Sequence, residues 1–258
     1  GVLLLLPERR LVHLGDALIV ATDGGGAVVV DAGTEPGPVD RCLRKLRIRT
    51  VSMLVVSHLH ADHTGGVTGV LRGRDVGAVV VGPGAAARDG GAELGHLLAQ
   101  HAVPMREADP GEVLVSGATT IRVVAPAGPG YASENDLSLV LVADTPVGRI
   151  LLPGDAEEAA LDALVRAGVD VRADVLKVPH HGSRTTPARF FAAVRPRVAV
   201  ISAGRDNTFG HPHPQTVDVL RSLGARVLST DRHGDVAVVR AGSGALAVVS
   251  DRRDTIEP

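Results

Sequence analysis

His58, His60, Asp62 and His63 fall within the run SHLHADHTGG, three imidazoles and a carboxylate in six positions. His and Asp are ordinarily exposed or paired, so crowding them costs solvation unless a cation compensates. The alternation lets His58 and His60 converge on one ion while Asp62 and His63 turn toward a second. The run follows VSMLVVS, a β-branched apolar stretch that predicts a buried strand, so the ligands fall on a loop at a strand end.

Other predicted strand ends supply further candidates. LLPGD sets Asp155 between an apolar strand and an Ala-rich helix, where its carboxylate either bridges two cations or caps the helix. LKVPHHGS ends another strand with His180 and His181. Neighbours on an extended backbone point to opposite faces, so one should face the metals and the other a bound substrate. NTFGHPHP adds His211, a ligand of the second metal or a phosphate contact, and His213, a substrate contact or helix cap. Asp31, in VVVDAG, is expected to orient a ligand histidine. Asn135 in SENDLSLVL, with Ser183 and Arg184 in HHGSR, are candidate substrate contacts, and Arg189 and Arg205 would extend a basic track.

Two divalent ions sharing a carboxylate and a water lower that water's pKa and neutralise charge developing on an attacked ester. The donors are nitrogen and oxygen without sulfur, which suits Zn²⁺, Mn²⁺ or Fe²⁺. Asp62 stands among the catalytic ligands, and His180 or His211 is placed to protonate a leaving alkoxide. The expected reaction is hydrolysis, by in-line attack if the substrate is a phosphodiester. No P-loop, dinucleotide fingerprint or Ser-His-Asp order competes, so no nucleotide cofactor is expected.

Short β-branched runs alternate with Ala/Leu-rich stretches and Gly/Pro turns. Strands are predicted over 18–22, 27–30, 51–56, 77–81, 112–115, 119–124, 137–143, 149–152, 174–178, 198–202, 226–228, 235–240 and 246–250. Helices are predicted over 39–47, 66–71, 93–101, 156–167, 187–194 and 214–223, with Pro187 and Pro214 in first turns. No repeat or linker divides the 258 residues, so a single α/β domain with two sheets inside and helices outside is the simplest account.

Composition narrows the partners. A net charge of -2 argues against a generally basic nucleic-acid binder, and 2% aromatic residues argue against extended base-stacking platforms. Cys42 is the lone cysteine, which excludes a disulfide framework and a thiolate cage. The longest apolar run, residues 2–6, is far short of a membrane span. The chain opens on Gly1 rather than Met, which suggests a domain excised from a longer protein.

HLHADH, with Asp31 before it and Asp155 after, resembles the HxHxDH signature of the metallo-β-lactamase fold over nearly the whole chain. That resemblance implies an αββα sandwich with a dinuclear site at one edge. NDLSLVL, LLPGD, LKVPHHGS, FGHPHP and STDRHGDV together resemble the C-terminal domain of ComEC-type competence proteins, the DNA-uptake channels of transformable bacteria. The family implies a nuclease that degrades the strand not imported, with single-stranded DNA as partner. It also implies attachment to a membrane channel through a missing N-terminal region, on the extracytoplasmic side, and two Mn²⁺ or Zn²⁺ ions. Carried over by motif, His58, His60, Asp62, His63 and Asp155 are the metal ligands, with the HHGS and GHPHP histidines completing the site; His181 is taken as ligand.

Two departures stand out. VHLGDALIV lacks the Gln-Gly pair of the family's VGQGDA, and no histidine stands near positions 131–135, where many superfamily members carry one. The first metal then draws on His180 or His181, or is weakly held. The rival readings are a small-substrate hydrolase of this fold (phosphorylcholine esterase, cyclic-nucleotide phosphodiesterase or lactonase) and a non-catalytic module of a transporter.

Overall fold

Two β-sheets lie face to face, and three clusters of buried side chains hold the layers together. The structure is a computed structural model describing residues 10–14, 16–22, 25–126, 133–204, 207–241 and 243–252. The N-terminal half contributes β1 (Arg10–Leu14), β2 (Ala17–Ala21), β3 (Gly26–Val30), β4 (Thr50–Val55), β5 (Asp75–Val76), β6 (Val79–Val81) and β7 (Met105–Glu107). Helices α1 (Pro36–Lys45), α2 (Ala61–Thr64), α3 (Val67–Leu71) and α4 (Gly91–Gln100) come between them. The second sheet takes β8 (Val113–Ser116), β9 (Thr119–Ala125), β10 (Val140–Asp144), β11 (Arg149–Leu152), β12 (Val175–Lys177), β13 (Val198–Ile201) and β14 (Arg226–Ser229). Its helices are α5 (Glu158–Arg166), α6 (Ala188–Val194) and α7 (Pro214–Ser222), and a short α8 (Thr230–His233) leads the chain back to the first sheet as β15 (Val236–Arg240) and β16 (Leu246–Ser250).

Each sheet is half meander and half crossover. The first runs β16-β15-β1-β2-β3-β4-β6-β7, with β5 also on β4; pairing is antiparallel as far as β3 and parallel beyond it. The second runs β8-β9-β10-β11 antiparallel, then β12-β13-β14 parallel. Parallel strands need helical crossovers, which cover the outer faces. Val28, Val30, Met53 and Val55 meet Leu141, Ile150, Leu152 and Val200 between the sheets. Leu43, Val67, Val70 and Leu98 cover the outside of the first sheet, and Leu161, Leu164, Phe190 and Phe191 that of the second. The layers are therefore αββα.

Thirteen predicted strands and six predicted helices overlap observed elements to within a few residues. The short β1, β5 and β7 were not expected, and β1 carries Arg10 and His13 in RLVHL, which weakens an apolar signal. Pro214 opens α7, whereas Pro187 is the extended cap residue of α6 rather than part of its first turn.

Candidate metal centre

Every candidate ligand follows the carboxyl end of a strand in the parallel half of a sheet, the edge where open α/β sheets place ligands. Asp31 follows β3, the histidine loop β4, Asp155 β11, and His180 and His181 β12. The Gly65–Gly66 pair explains how the first two meet. A Cβ at Gly66 would lie 2.0 Å from the Ala32 carbonyl oxygen, and one at Gly65 2.1 Å from that of Thr34. The loop therefore lies directly on the residues after Asp31, and the Ala32 N–H donates to the His63 carbonyl at 2.8 Å.

Asp31 fixes this loop. Its carboxylate accepts the Ser57 N–H at 2.7 Å and hydroxyl at 2.8 Å, and lies 2.9 Å from His63 Nδ1. His63 Nε2 is thereby turned to the centre, 3.4 Å from Asp155 Oδ2 and 3.7 Å from Asp62 Oδ2. His181 is held in the same manner from the other sheet: Nδ1 lies 3.1 Å from Asp16, and Nε2 lies 2.9 Å from Asp155 and 3.2 Å from Asp62. Asp62, His63, Asp155 and His181 thus offer four donor atoms within 4.8 Å of one another. His63 Nε2 is buried and makes no hydrogen bond among the described residues, only the ion-pair contacts to Asp155 and Asp62, an arrangement that a cation between these groups would satisfy. Two nitrogens and two carboxylates fit a divalent transition metal.

The electrostatics agree. Burial alone would depress the His63 imidazole, but Asp31 and Asp155 overcome it and hold it at about 10. His181 is likewise raised against burial to about 12, by Asp155, Asp16 and Asp62. Burial works against the Asp155 carboxylate, yet Lys177, His181 and His63 keep it well below the usual range. Without a metal, both imidazoles are thus held toward the protonated form by the carboxylates around them.

His58 and His60 stand outside this group as a pair, with His58 Nε2 3.0 Å from His60 Nδ1. Burial and the neighbouring His63 push His58 down to about 2, so it is a neutral donor. His181 joins the four-donor group rather than this pair. The two sheet-end histidines do not alternate as an extended strand would place them, because both adopt left-handed backbone (φ 42° and 52°). His180 Nδ1 faces Glu157 at 2.8 Å, and His211 packs 5.6 Å from His180 and 6.3 Å from His181 in ring centroids. Asp31 also has positive φ. Such strain clusters at functional sites and persists only where surrounding structure enforces it.

The remaining sequence candidates divide. Asp155 does not cap α5; Asp136 does that, accepting from the Glu157 and Ala160 N–H groups, and Ser138 Oγ accepts the Asp155 N–H. His213 caps α7, its Nδ1 accepting the Gln215 N–H. Ser183 is buried and its Oγ accepts from Thr185, so it braces the loop after the histidine pair. Asn135 Oδ1 is buried without a partner among the described residues. Arg184 is exposed, whereas Arg189 is bound to Asp162 on α5 rather than free to extend a basic track. Arg205 and Tyr131 lie outside the described residues.

Three residues escaped the sequence reading. Asp16 positions His181. Lys177, 5% exposed, lies 3.2 Å from Asp155 Oδ1, and Asp155 with Asp16 and Asp31 raises its pKa against burial. Phe209 is 82% exposed and its ring lies 6.3 Å from that of His211. Asp16→Asn should weaken metal binding by about 10–100-fold while leaving the fold intact, as expected of a carboxylate that orients a ligand histidine. Isothermal titration with Mn²⁺ or Zn²⁺ checks this, and unchanged affinity would remove Asp16 from the centre.

A four-layer αββα sandwich with a metal-ligating edge defines a class, and the chain belongs to it: residues 10–205 match the metallo-β-lactamase superfamily. Among curated proteins it is 31% identical over 190 residues to ComE operon protein 3 of Bacillus subtilis, covering 73% of this chain and 24% of that protein. It is 34% identical over 118 residues to recombination protein 2 of Haemophilus influenzae, covering 45% of this chain and 15% of that protein. The chain thus spans about a quarter or less of the length of these relatives. CmlA, a diiron β-hydroxylase from Streptomyces venezuelae, shares the fold with a TM-score of 0.59 at 17% identity, covering 86% of this chain and 52% of that one. No helix among the described residues is long and apolar enough to cross a membrane.

Proposed function

We propose that this chain is a metal-dependent phosphodiesterase whose substrate is DNA, single-stranded in its working form. The observation that carries the reading is the group of four donor atoms within 4.8 Å of one another, among them a His63 Nε2 that is buried without a hydrogen bond among the described residues. The choice of DNA rests on the likeness to the Bacillus and Haemophilus proteins and on the competence-type motifs quoted above. We further infer that the domain works joined to a membrane channel, on the extracytoplasmic side, degrading the strand that is not taken up.

Asp62, His63, Asp155 and His181 would hold one divalent ion, and His58 with His60 would serve a second; Mn²⁺ and Zn²⁺ both suit these donors. When bound, such ions supply Lewis acidity toward the ester and lower the pKa of water. The protein's own contribution is positioning. Asp31 and Asp16 hold the two ligand histidines in one ring orientation. Lys177, on the far side of Asp155, draws off part of its charge. His180, with Glu157 2.8 Å from its Nδ1, would pass a proton to the leaving alkoxide. His211 is half-buried, and its pKa is depressed by burial and by His180 and His181. It is therefore a neutral hydrogen-bond donor toward a phosphate oxygen. Phe209 presents an aromatic face beside it, on which an unpaired base can stack.

The test is cleavage of labelled single- and double-stranded DNA by the purified chain with Mn²⁺, Zn²⁺ or EDTA, beside Asp62→Ala and Phe209→Ala. Metal-dependent cutting should vanish in the first variant. In the second, KM for single strands should rise about tenfold, the worth of one stacked base, with hydrolysis of bis-p-nitrophenyl phosphate unchanged. Hydrolysis of the small diester without DNA cleavage would instead indicate a small-substrate phosphodiesterase. Inactivity on both with either metal would indicate a non-catalytic module.

A further inference from the structure

A second feature built for phosphate lies at the opposite end of the first sheet. The segment RCLRKLRIR (41–49) has five basic residues and no acidic one, and LRGR (71–74) adds two more. Arg44, Arg47, Arg49, Arg72 and Arg74 line a concavity of about 540 Å³ at the start of β4. Asp40, 2% exposed, is the carboxylate they share: Arg44 binds it directly, with Arg72 at 3.3 Å and Arg74 at 3.0 Å. Arg47 and Arg49 are exposed and make no ion pair among the described residues. With Asp40 and with Asp75, whose N–H donates to the Arg49 carbonyl, both counted, the five guanidiniums leave a surplus of three positive charges, in a chain whose net charge is -2.

The fold does not need this surplus. The negative end of the α1 dipole accounts for Arg44 and Lys45, and Asp40 for Arg72 and Arg74. Neither accounts for Arg47 and Arg49. Arg47 moreover sits at φ 57° just past the helix, where glycine is the usual occupant. Like charges gathered in one concavity repel unless an anion is present, and guanidinium forks match phosphate oxygens bidentately. The exposed large apolar side chains among the described residues are Val113, Val115, Phe209 and Leu223, none of which lines the concavity, so it lacks the apolar rim expected of a membrane-inserting surface.

We propose that this arginine basin is a second binding site for the phosphodiester backbone of DNA, remote from the metal centre. The six residues of β4 separate it from the histidine loop by about 20 Å at ~3.3 Å per residue. The straight-line distance corresponds to about six phosphates at the ~3.4 Å per-strand spacing of a duplex, and to fewer in an extended single strand. A strand held at both sites is anchored several nucleotides from the bond being cut. The identity of the polyanion as DNA rests on the function proposed above; the phosphate chemistry of the basin does not.

The experiment measures binding in EDTA, without cleavage, of a fluorescent oligothymidylate about thirty nucleotides long, by anisotropy over a range of salt. The Arg47→Ala/Arg49→Ala variant should bind about tenfold more weakly, with the salt slope reduced by about 1.4, or ~0.7 per lost single-strand contact. Hydrolysis of bis-p-nitrophenyl phosphate should be unchanged. In the wild-type protein, the same oligonucleotide should protect Arg47 and Arg49 from phenylglyoxal, a readout independent of the variant's folding. Equal affinity and slope in the variant, or failure of the wild-type chain to bind, overturns the proposal. So does loss of binding to phosphatidylserine vesicles with DNA binding intact, which would assign the basin to lipid headgroups. Arginine-dependent binding without any DNA cleavage would sink the nuclease reading and leave the basin standing; cleavage with arginine-independent binding would do the reverse.

Discussion

Asp155→Asn should lower the affinity of the centre for Mn²⁺ or Zn²⁺ by about a thousandfold or more, beyond the 10–100-fold of an orienting residue, and hydrolysis should fall with it. The same change should cost about 3–5 kcal/mol of stability in EDTA, where no metal contributes, because it removes the carboxylate nearest the buried Lys177, one that also pairs with His63 and His181. The two effects have different origins and can be separated. Adding Lys177→Met removes the stranded cation, so the double variant should recover much of the stability but none of the metal binding. Urea unfolding in EDTA reads the first effect and isothermal titration the second. If Asp155→Asn unfolds at the wild-type urea midpoint in EDTA, the ion pair with Lys177 contributes nothing. The role given to that lysine would then fall.

The contrast between Asp155 and Lys177 also shows what a sequence exposes and what it hides. Asp155 was legible because a carboxylate between an apolar strand and a helix has few uses, and the histidine loop gave it a partner. Lys177 was not, because a lysine at a strand end normally reaches solvent; only the packing of β12 between β11 and β13 turns it inward. Asp16 was hidden for a related reason. Its effect depends on β1 and β2 bringing it to His181, 165 positions further along the chain. The four layers could be read because β-branched runs and Ala/Leu stretches report burial directly. The conformation of the histidine doublet could not be read, since non-glycine residues seldom take left-handed backbone and nothing local compels it. The arginine segment read only as the end of the helix predicted over 39–47, and its grouping with Arg72 and Arg74 appeared only in the fold. Periodic features were thus legible, and features made by distant segments meeting were not.

Metal uptake should release close to two protons near neutral pH. His63 and His181, at about 10 and about 12 in the metal-free protein, must both be neutral at the nitrogen that ligates. Apparent affinity should therefore rise about a hundredfold per pH unit, tenfold for each proton displaced, between about pH 7 and 9. Stability follows with opposite signs in the two forms. For the metal-free protein, both imidazoles are raised above the unfolded value of about 6.5, so their contribution is complete below that pH and is lost as pH climbs toward about 10. Asp155 and Asp62 are lowered, so their contribution is present above the unfolded carboxylate value of about 3.9 and is lost in acid. The metal-free form should be most stable between about pH 4 and 6.5, and the loaded form should gain on it with each step toward alkali. Titration calorimetry in buffers of differing ionisation enthalpy counts the protons, and thermal melts with and without EDTA read the divergence. Release of less than one proton would mean that the carboxylates do not hold both imidazoles charged. The cluster would then be a structural hydrogen-bond network rather than a site prepared for a cation.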